Sequence, residues 1–427
     1  MDNPFLSWTM RGIAPAAILY FMAHVGFIAA EPLGVTGTVS GRFTDNANKS
    51  QNEESGTEMT TRVRVKYSRD EGRCTSDLDA SLGYSYWVNE LYDPETRAAA
   101  GFDGNCEITE GLNWELIDNL SEVLQSSRQN DTPDNRTRKN IFRTGPLLTL
   151  PLSRVDQLRT SLQYENTEYE DPENQDSDRY IGSLAWNHQF AVTFSGGLSA
   201  TADHQELDSG AETDSRAINL NLNKAWATTT FSGSVGYSEQ EVTFGALNQT
   251  NDGVVGSLRL TRELNPTASF FFSASRQLTD QASDFTIQFQ DVEFDYREQS
   301  GIEVTAIESG LDKQFGDGTQ FGGQLFFNRS DYLQIDEQED AAGLRLRLSR
   351  SVTPRLRLNA NGGYEYRRYE NASQNDQLAS ASVGLSYQLS ADLDCTASLG
   401  YSQRDSDLPS SEYTENWAQL GLSYRFR

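Results

Sequence analysis

Few residues here suit acid–base chemistry. Of three histidines, His24 lies in an apolar N-terminal run, which leaves His188 and His204. His188 belongs to "NHQF" (187–190), which reads as a short solvated turn. His204 follows Asp203, and an Asp–His pair can move a proton only when the two side chains meet. Neighbours on a strand point to opposite faces, so Asp203 and His204 do not read as a dyad. G-x-S tripeptides recur, Gly384-Leu385-Ser386 among them, but none completes G-x-S-x-G, the elbow that exposes a nucleophilic serine. Neither a glycine-rich phosphate loop nor a cluster with metal-ligand spacing is found. Cys74, Cys106 and Cys395 match no zinc or haem spacing. Cys74 and Cys106 could bridge in an oxidising compartment, but the strand register puts them at different heights, and the reading is three unpaired cysteines. The expectation is no enzyme, no cofactor and no metal.

The charged residues say more. Bases concentrate on alternating segments: Arg62, Arg64, Lys66, Arg143, Arg259, Arg345, Arg347, Arg355 and Arg357. Opposite each lies an apolar face, so these bases are predicted to point into a lumen, where they would favour anionic solutes such as an acidic glycan. The alternative is that they pair with acids on neighbouring strands. Acids crowd the longer polar stretches: Glu168, Glu170, Asp171, Glu173, Asp176 and Asp178; Glu206, Asp208, Glu212 and Asp214; Asp331, Asp336, Glu337, Glu339 and Asp340. As loops they would be solvated surface charge, or would hold divalent cations against lipopolysaccharide phosphates. With a net charge of −27, nucleic acid is excluded as a partner.

The elements that must position these residues are strands. In "TRVRVKYS", Val63, Val65 and Tyr67 alternate with Arg62, Arg64 and Lys66; in "LRLRLSR", Leu344, Leu346 and Leu348 alternate with Arg345, Arg347 and Ser349. "LDASLGYSYWV", "INLNLN" and "SVGLSYQL" repeat the pattern. A period of two means a strand with one apolar face. Short turns (152–156, 187–190, 263–266, 315–318, 351–354, 389–392) alternate with longer polar stretches (170–178, 206–214, 280–298, 333–340, 369–376, 405–413). That is the signature of an up-and-down barrel with periplasmic turns and outer loops.

Counting back from the C-terminus gives twenty segments, with 18 as the runner-up, and an even count returns both termini to the periplasm. The first five are placed at 34–46, 57–69, 76–91, about 99–116 and about 118–128. The closing stretch "AQLGLSYRFR" alternates Leu420, Leu422, Tyr424 and Phe426 with small or polar residues. A closed barrel must end on such a strand, because lipid tolerates no open sheet edge. A solenoid would show a fixed repeat, which is absent. A sandwich would fill a core with apolar side chains from two sheets, and the non-apolar face here, with Arg62, Arg64, Lys66, Arg345 and Arg347 interleaved, is too charged for that.

Residues 12–30, "GIAPAAILYFMAHVGFIAA", carry no charged side chain and end in Ile28-Ala29-Ala30. They read as the core of a signal peptide over 1–30, with a single transmembrane anchor as the alternative. The remaining 31–427 is predicted to be one all-β, transmembrane antiparallel barrel in the cell outer membrane.

"FTDNANKS" (43–50), "LNWELIDN" (112–119), "QSSRQNDTPDNRTRKNIFRTGPLLTL" (125–150) and "SLQYENTEYED" (161–171) resemble the β-barrel porins found beside exopolysaccharide and PEP-CTERM (exosortase) genes in Gram-negative bacteria. The resemblance spans nearly the whole chain after the leader, and its motifs are turn and strand-end chemistry that name no catalytic residue. It implies an outer-membrane channel linked to surface-polymer export. The partners to expect are lipid, lipopolysaccharide, an anionic polysaccharide and export-machinery proteins. The other class open to such a chain is a non-conducting barrel for docking and surface assembly. Twenty strands enclose more room than side chains fill, and 280–298 is the segment expected to constrict or plug it.

Overall fold

A computed structural model describes residues 33–426 except 127, 172–175, 280–300, 334–336 and 371–373. The expected leader and the 280–298 segment therefore lie outside the described residues, as do Glu173 and Asp336. Among the described residues there are twenty strands: β1 Gly34–Thr44, β2 Gly56–Arg69, β3 Cys74–Trp87, β4 Glu95–Thr109, β5 Leu112–Leu124, β6 Arg136–Pro151, β7 Asp156–Tyr169, β8 Ser177–Ala191, β9 Phe194–Leu207, β10 Ala211–Ala225, β11 Thr229–Phe244, β12 Leu247–Asn265, β13 Ala268–Thr279, β14 Ile302–Gln314, β15 Gln320–Tyr332, β16 Glu337–Thr353, β17 Leu356–Tyr369, β18 Gln374–Gln388, β19 Leu393–Ser406 and β20 Tyr413–Arg425. Each pairs antiparallel with the next. The ring closes where β1 meets β20, from Thr36 opposite Arg425 to Thr44 opposite Trp417. The predicted all-β barrel of about twenty strands is the fold observed.

Every strand shows one face outward. Leu162, Ile218, Leu399 and Leu420 are each 65–67% exposed, an arrangement no soluble protein sustains around its whole circumference. Aromatics edge this band. Trp186, Phe190, Trp226, Tyr387, Tyr424 and Phe426 stand near the turn end, and Tyr84, Tyr86, Tyr180, Tyr364 and Tyr366 near the loop end. Two aromatic girdles around an apolar belt are what a bilayer selects. The turn end, where β1 starts and β20 finishes, is then periplasmic.

Several expected boundaries move. The β4–β5 turn lies at 110–111, not near 117, because Gly111 takes φ +79°, a backbone state open to glycine. A Cβ there would also stand 2.5 Å from the Thr149 carbonyl oxygen. That shift slides β4 against β3 and sets Cys74 directly opposite Cys106. The two form a disulfide with a Cα–Cα distance of 4.0 Å, so the reading of three unpaired cysteines is corrected; Cys395 alone is free. Denatured, unreduced protein is expected to take up one equivalent of iodoacetamide, and three after reduction. Three before reduction would rule the bridge out.

The segment 187–190 is not a turn but the end of β8. His188 accordingly sits on the strand, with Nδ1 2.7 Å from Asp156 Oδ1 on β7. The stretch 206–214 is mostly strand too, with only 208–210 joining β9 to β10.

Candidate functional site: the barrel lumen and its outer mouth

Strand parity places eight of the nine singled-out bases on the inward face. Arg62, Arg64 and Lys66 on β2 stand opposite Gly83, Ser81 and Asp79 of β3. Arg259 on β12 opposes Ser273 of β13. Arg345 and Arg347 on β16 face Gly363 and Asn361 of β17, and Arg357 faces Ser386 of β18. Arg143 on β6 opposes Glu165 of β7. The exception is Arg355. It is not on a strand face but exposed in the tight turn 354–355, because Pro354 has no N–H with which to continue the β16 ladder.

The lumen is not simply basic. Asp79 accepts from Arg64 Nε at 2.6 Å and lies 3.2 Å from Lys66 Nζ. Arg347 Nη2 donates to Asp312 on β14 at 2.8 Å. Arg345 lies 4.0 Å from Glu365 and stacks on the Phe326 ring at 4.1 Å. Arg259 lies 6.0 Å over Phe271. These acids sit within β3, β14 and β17, so the alternative of bases paired with acids on neighbouring strands is what these positions show. The acids expected in loops are also largely on strands: Glu168, Asp178, Glu206, Glu212, Asp214, Asp331, Glu337, Glu339 and Asp340 all lie within strand ends. Charge therefore alternates around the wall.

One ladder is buried. Glu165 on β7, 2% exposed, accepts from Arg143 Nε at 2.8 Å and lies 3.7 Å from Arg179 Nε on β8. Arg179 continues to Asp203 on β9 at 3.7 Å and donates to Gln205 Oε1 at 2.9 Å. Asp203 thus faces inward, while His204 faces outward between Asp214 (3.0 Å) and Glu206 (3.3 Å). The two neighbours diverge as the strand geometry requires.

A cavity runs along β12–β20. It is lined by Arg259, Arg345 and Arg347 together with Asn361, Ser380 and Ser382. Trp417 projects into it across Gly400, where any Cβ would meet the indole at 2.2 Å. The Arg347 side chain on this wall is 70% exposed.

The outer mouth is crossed by a feature the sequence did not single out. Residues 128–135, part of the β5–β6 connection, reach from that hairpin to the far wall. The short turn Pro133–Asn135 fastens the segment to itself, with Asn135 Nδ2 donating to the carbonyls of Ser126 (2.9 Å) and Asn130 (3.2 Å). Arg404 of β19, almost wholly buried, donates to the carbonyls of Arg128 (2.9 Å) and Gln129 (3.2 Å) and to Asn130 Oδ1 (3.1 Å). Its charge is balanced by fully buried Asp376 of β18. Beyond it, Arg128 pairs with Glu337 of β16 and lies 5.5 Å over the Tyr369 ring. β5 and β16 stand nearly opposite each other in the ring.

On the near side, Asp131 accepts from Arg136 Nε at 2.7 Å and Nη2 at 2.9 Å. Burial pushes the Asp131 carboxyl up, but the Arg136 bonds and the charges of Lys49, Arg136 and Arg42 hold it below the usual carboxylate value. Burial lowers the Lys49 ammonium. A carboxylate with a depressed folded value stabilises above its unfolded pKa, about 3.9, and that contribution is lost as pH falls through the folded value. Protection of residues 128–135 from protease is therefore expected to hold from neutrality to about pH 4 and to fail in stronger acid. Equal cleavage at pH 7 and pH 3 would contradict it.

A family described as "Putative beta-barrel porin 2" matches residues 340–426, the span that begins in β16 and closes the barrel. No curated protein matches the sequence. Among solved structures, the FrpB iron transporter from Neisseria meningitidis (F5-1 variant) is similar at TM-score 0.53 and 9% identity, covering 93% of this chain and 83% of that one. Its apoprotein form is similar at TM-score 0.51 and 11% identity, covering 93% and 82%. At such identities the likeness is one of fold. With the apolar belt and the twin girdles, it makes this chain an outer-membrane β-barrel.

Proposed function

We propose that this barrel is a channel for hydrophilic solutes, serving a cell surface that exports polymer. The observation that carries the reading is the exposure of inward-facing charges such as Arg347, 70% open to solvent in the cavity along β12–β20. Charges that only held the wall together would be buried, as Glu165 is. The polymer-export setting rests on the sequence resemblance, and so do a polysaccharide and export-machinery proteins as partners. Lipopolysaccharide is the neighbour expected of the outer rim. The same reading makes the chain no enzyme, since His204 is flanked only by acids on the lipid-side face.

Purified protein in a planar bilayer is expected to conduct. Because acids and bases alternate, ion preference should be weak and adjustable. Arg347→Gln leaves Asp312 uncompensated and should move the reversal potential toward cation selectivity; Asp312→Asn should move it toward anions. A unit charge acts with about 1 kcal/mol at contact in water, which limits each change to about fivefold in the local ion ratio. Identical reversal potentials in both variants at low salt would place these charges outside the ion path. The docking barrel is the second reading, favoured by the segment across the mouth. A folded protein with no conductance would establish it.

A further inference from the structure

We infer that the cavity along β12–β20 holds a binding site for sugar acids, with Arg259 as the group that takes the carboxylate. The inference deepens the channel reading and rests on it for the solute's access. Three arginines line the cavity. Arg347 is bonded to Asp312, and Arg345 lies 4.0 Å from Glu365. Arg259 differs. Among the described residues its guanidinium has no hydrogen bond and no ion pair, and it lies 6.0 Å over the Phe271 ring. The ring's quadrupole attracts the cation and uses up none of its five N–H donors. The mount is itself built in. Phe271 lies against Gly310 of β14, where an added Cβ would stand 2.3 Å from the ring. Arg345 repeats the device. It stacks 4.1 Å over Phe326, which lies against Gly343, where a Cβ would stand 2.5 Å from the ring.

The charge of the lining agrees. Arg259, Arg345 and Arg347 stand against Glu308 and Asp312, an excess of one positive charge, in a chain whose net charge is −27. The cavity along β2–β5 has Lys66 against Asp77, Asp79 and Asp103 and is acidic. An anion in the lumen therefore finds its counter-charge on the β12–β20 wall. Much of the remaining lining there is amide and hydroxyl, as at Asn361, Ser380 and Ser382. Asn361 and Ser382 meet only at 3.5 Å, the outer limit of a hydrogen bond, which leaves both open to a solute. A free arginine fork matches a carboxylate, and the amide and hydroxyl groups match a hydroxylated ring. The cavity holds about 1120 Å³, more than the about 300–1,000 Å³ of ordinary small-molecule sites, so it takes more than one ring.

The test is calorimetry on the refolded full barrel, with planar-bilayer current recorded alongside. At low salt, trigalacturonate should bind about tenfold more tightly than neutral maltotriose, and should interrupt the current. Arg259→Gln should weaken trigalacturonate by about tenfold, the worth of hydrogen bonds to a charged group, and leave maltotriose where it was. Arg262→Gln, at an exposed position on the lipid-side face of the same strand, removes a charge elsewhere and should bind like the wild type. Equal affinity for the two sugars, or trigalacturonate binding unchanged in Arg259→Gln, overturns the site. Citrate bound as tightly as trigalacturonate overturns the sugar class. Current without selective binding removes the site and keeps the channel. Binding that depends on Arg259, in protein that passes no current, keeps the site and removes the channel.

Discussion

Replacing Glu165 with alanine is expected to lower the unfolding free energy by about 3–5 kcal/mol. The side chain is 2% exposed and sits between Arg143 and Arg179. Removing it takes the shared carboxylate from two guanidiniums on one buried row, and Arg179, 10% exposed at its side chain, loses a counter-charge where water cannot replace it. Glu165→Gln keeps the shape and part of the hydrogen bonding and should cost less. Replacing both Glu165 and Arg143 by methionine should cost less than Glu165→Ala alone, because the pair's desolvation is removed along with its attraction. Urea titration of the refolded barrel measures all three. A shift within about 0.5 kcal/mol, typical of surface positions, would mean that the ladder is hydrated.

The second large effect reads the faces directly. Leu346 lies at mid-belt on β16, 41% exposed, and faces lipid between two inward arginines. Leu346→Arg should destabilise by about 2–4 kcal/mol, the cost of an arginine on the lipid face near the bilayer midplane. Arg347→Leu, one residue on, points into water and should cost far less. With cysteine at these positions, 347 should react with a membrane-impermeant thiol reagent and 346 should resist it. The reverse order would exchange the two faces and with them every lumen assignment.

What the sequence disclosed follows from distance along the chain. Alternation is local, so Val63-Arg64-Val65 and Leu344-Arg345-Leu346 declared their faces and the strand count followed. Pairing across strands is not local. Whether Arg347 meets an acid depends on the register of β14, β15 and β16, and Asp312 lies 35 positions away. A turn misplaced by a few residues, as at Gly111, carried Cys106 away from Cys74 without disturbing the alternation that located either strand. Arg355 failed for a different reason: "PRLRL" alternates, but Pro354 begins a turn, so the pattern started one residue pair late. The segment across the mouth, residues 128–135, was least legible. "RQNDTPDN" looks like any solvated loop, and its role depends on Arg404, whose contact with the Arg128 carbonyl spans 276 positions.

The seam between β1 and β20 has a consequence for the order of events. Thr38 and Ser423, which meet there, are 385 positions apart, whereas the other strand pairs are joined through a single connection. Closing a loop of that length costs about 3 kcal/mol more in chain entropy than closing a ten-residue hairpin, so the seam forms after the hairpins that precede it. Until its nine rungs, Thr36 to Thr44, are in place, the sheet has two raw edges that a hydrocarbon interior cannot accept. Insertion and closure must therefore be completed together. Any foreign strand that captures either edge first competes with the protein's own last strand, and leaves an open sheet that cannot enter the membrane.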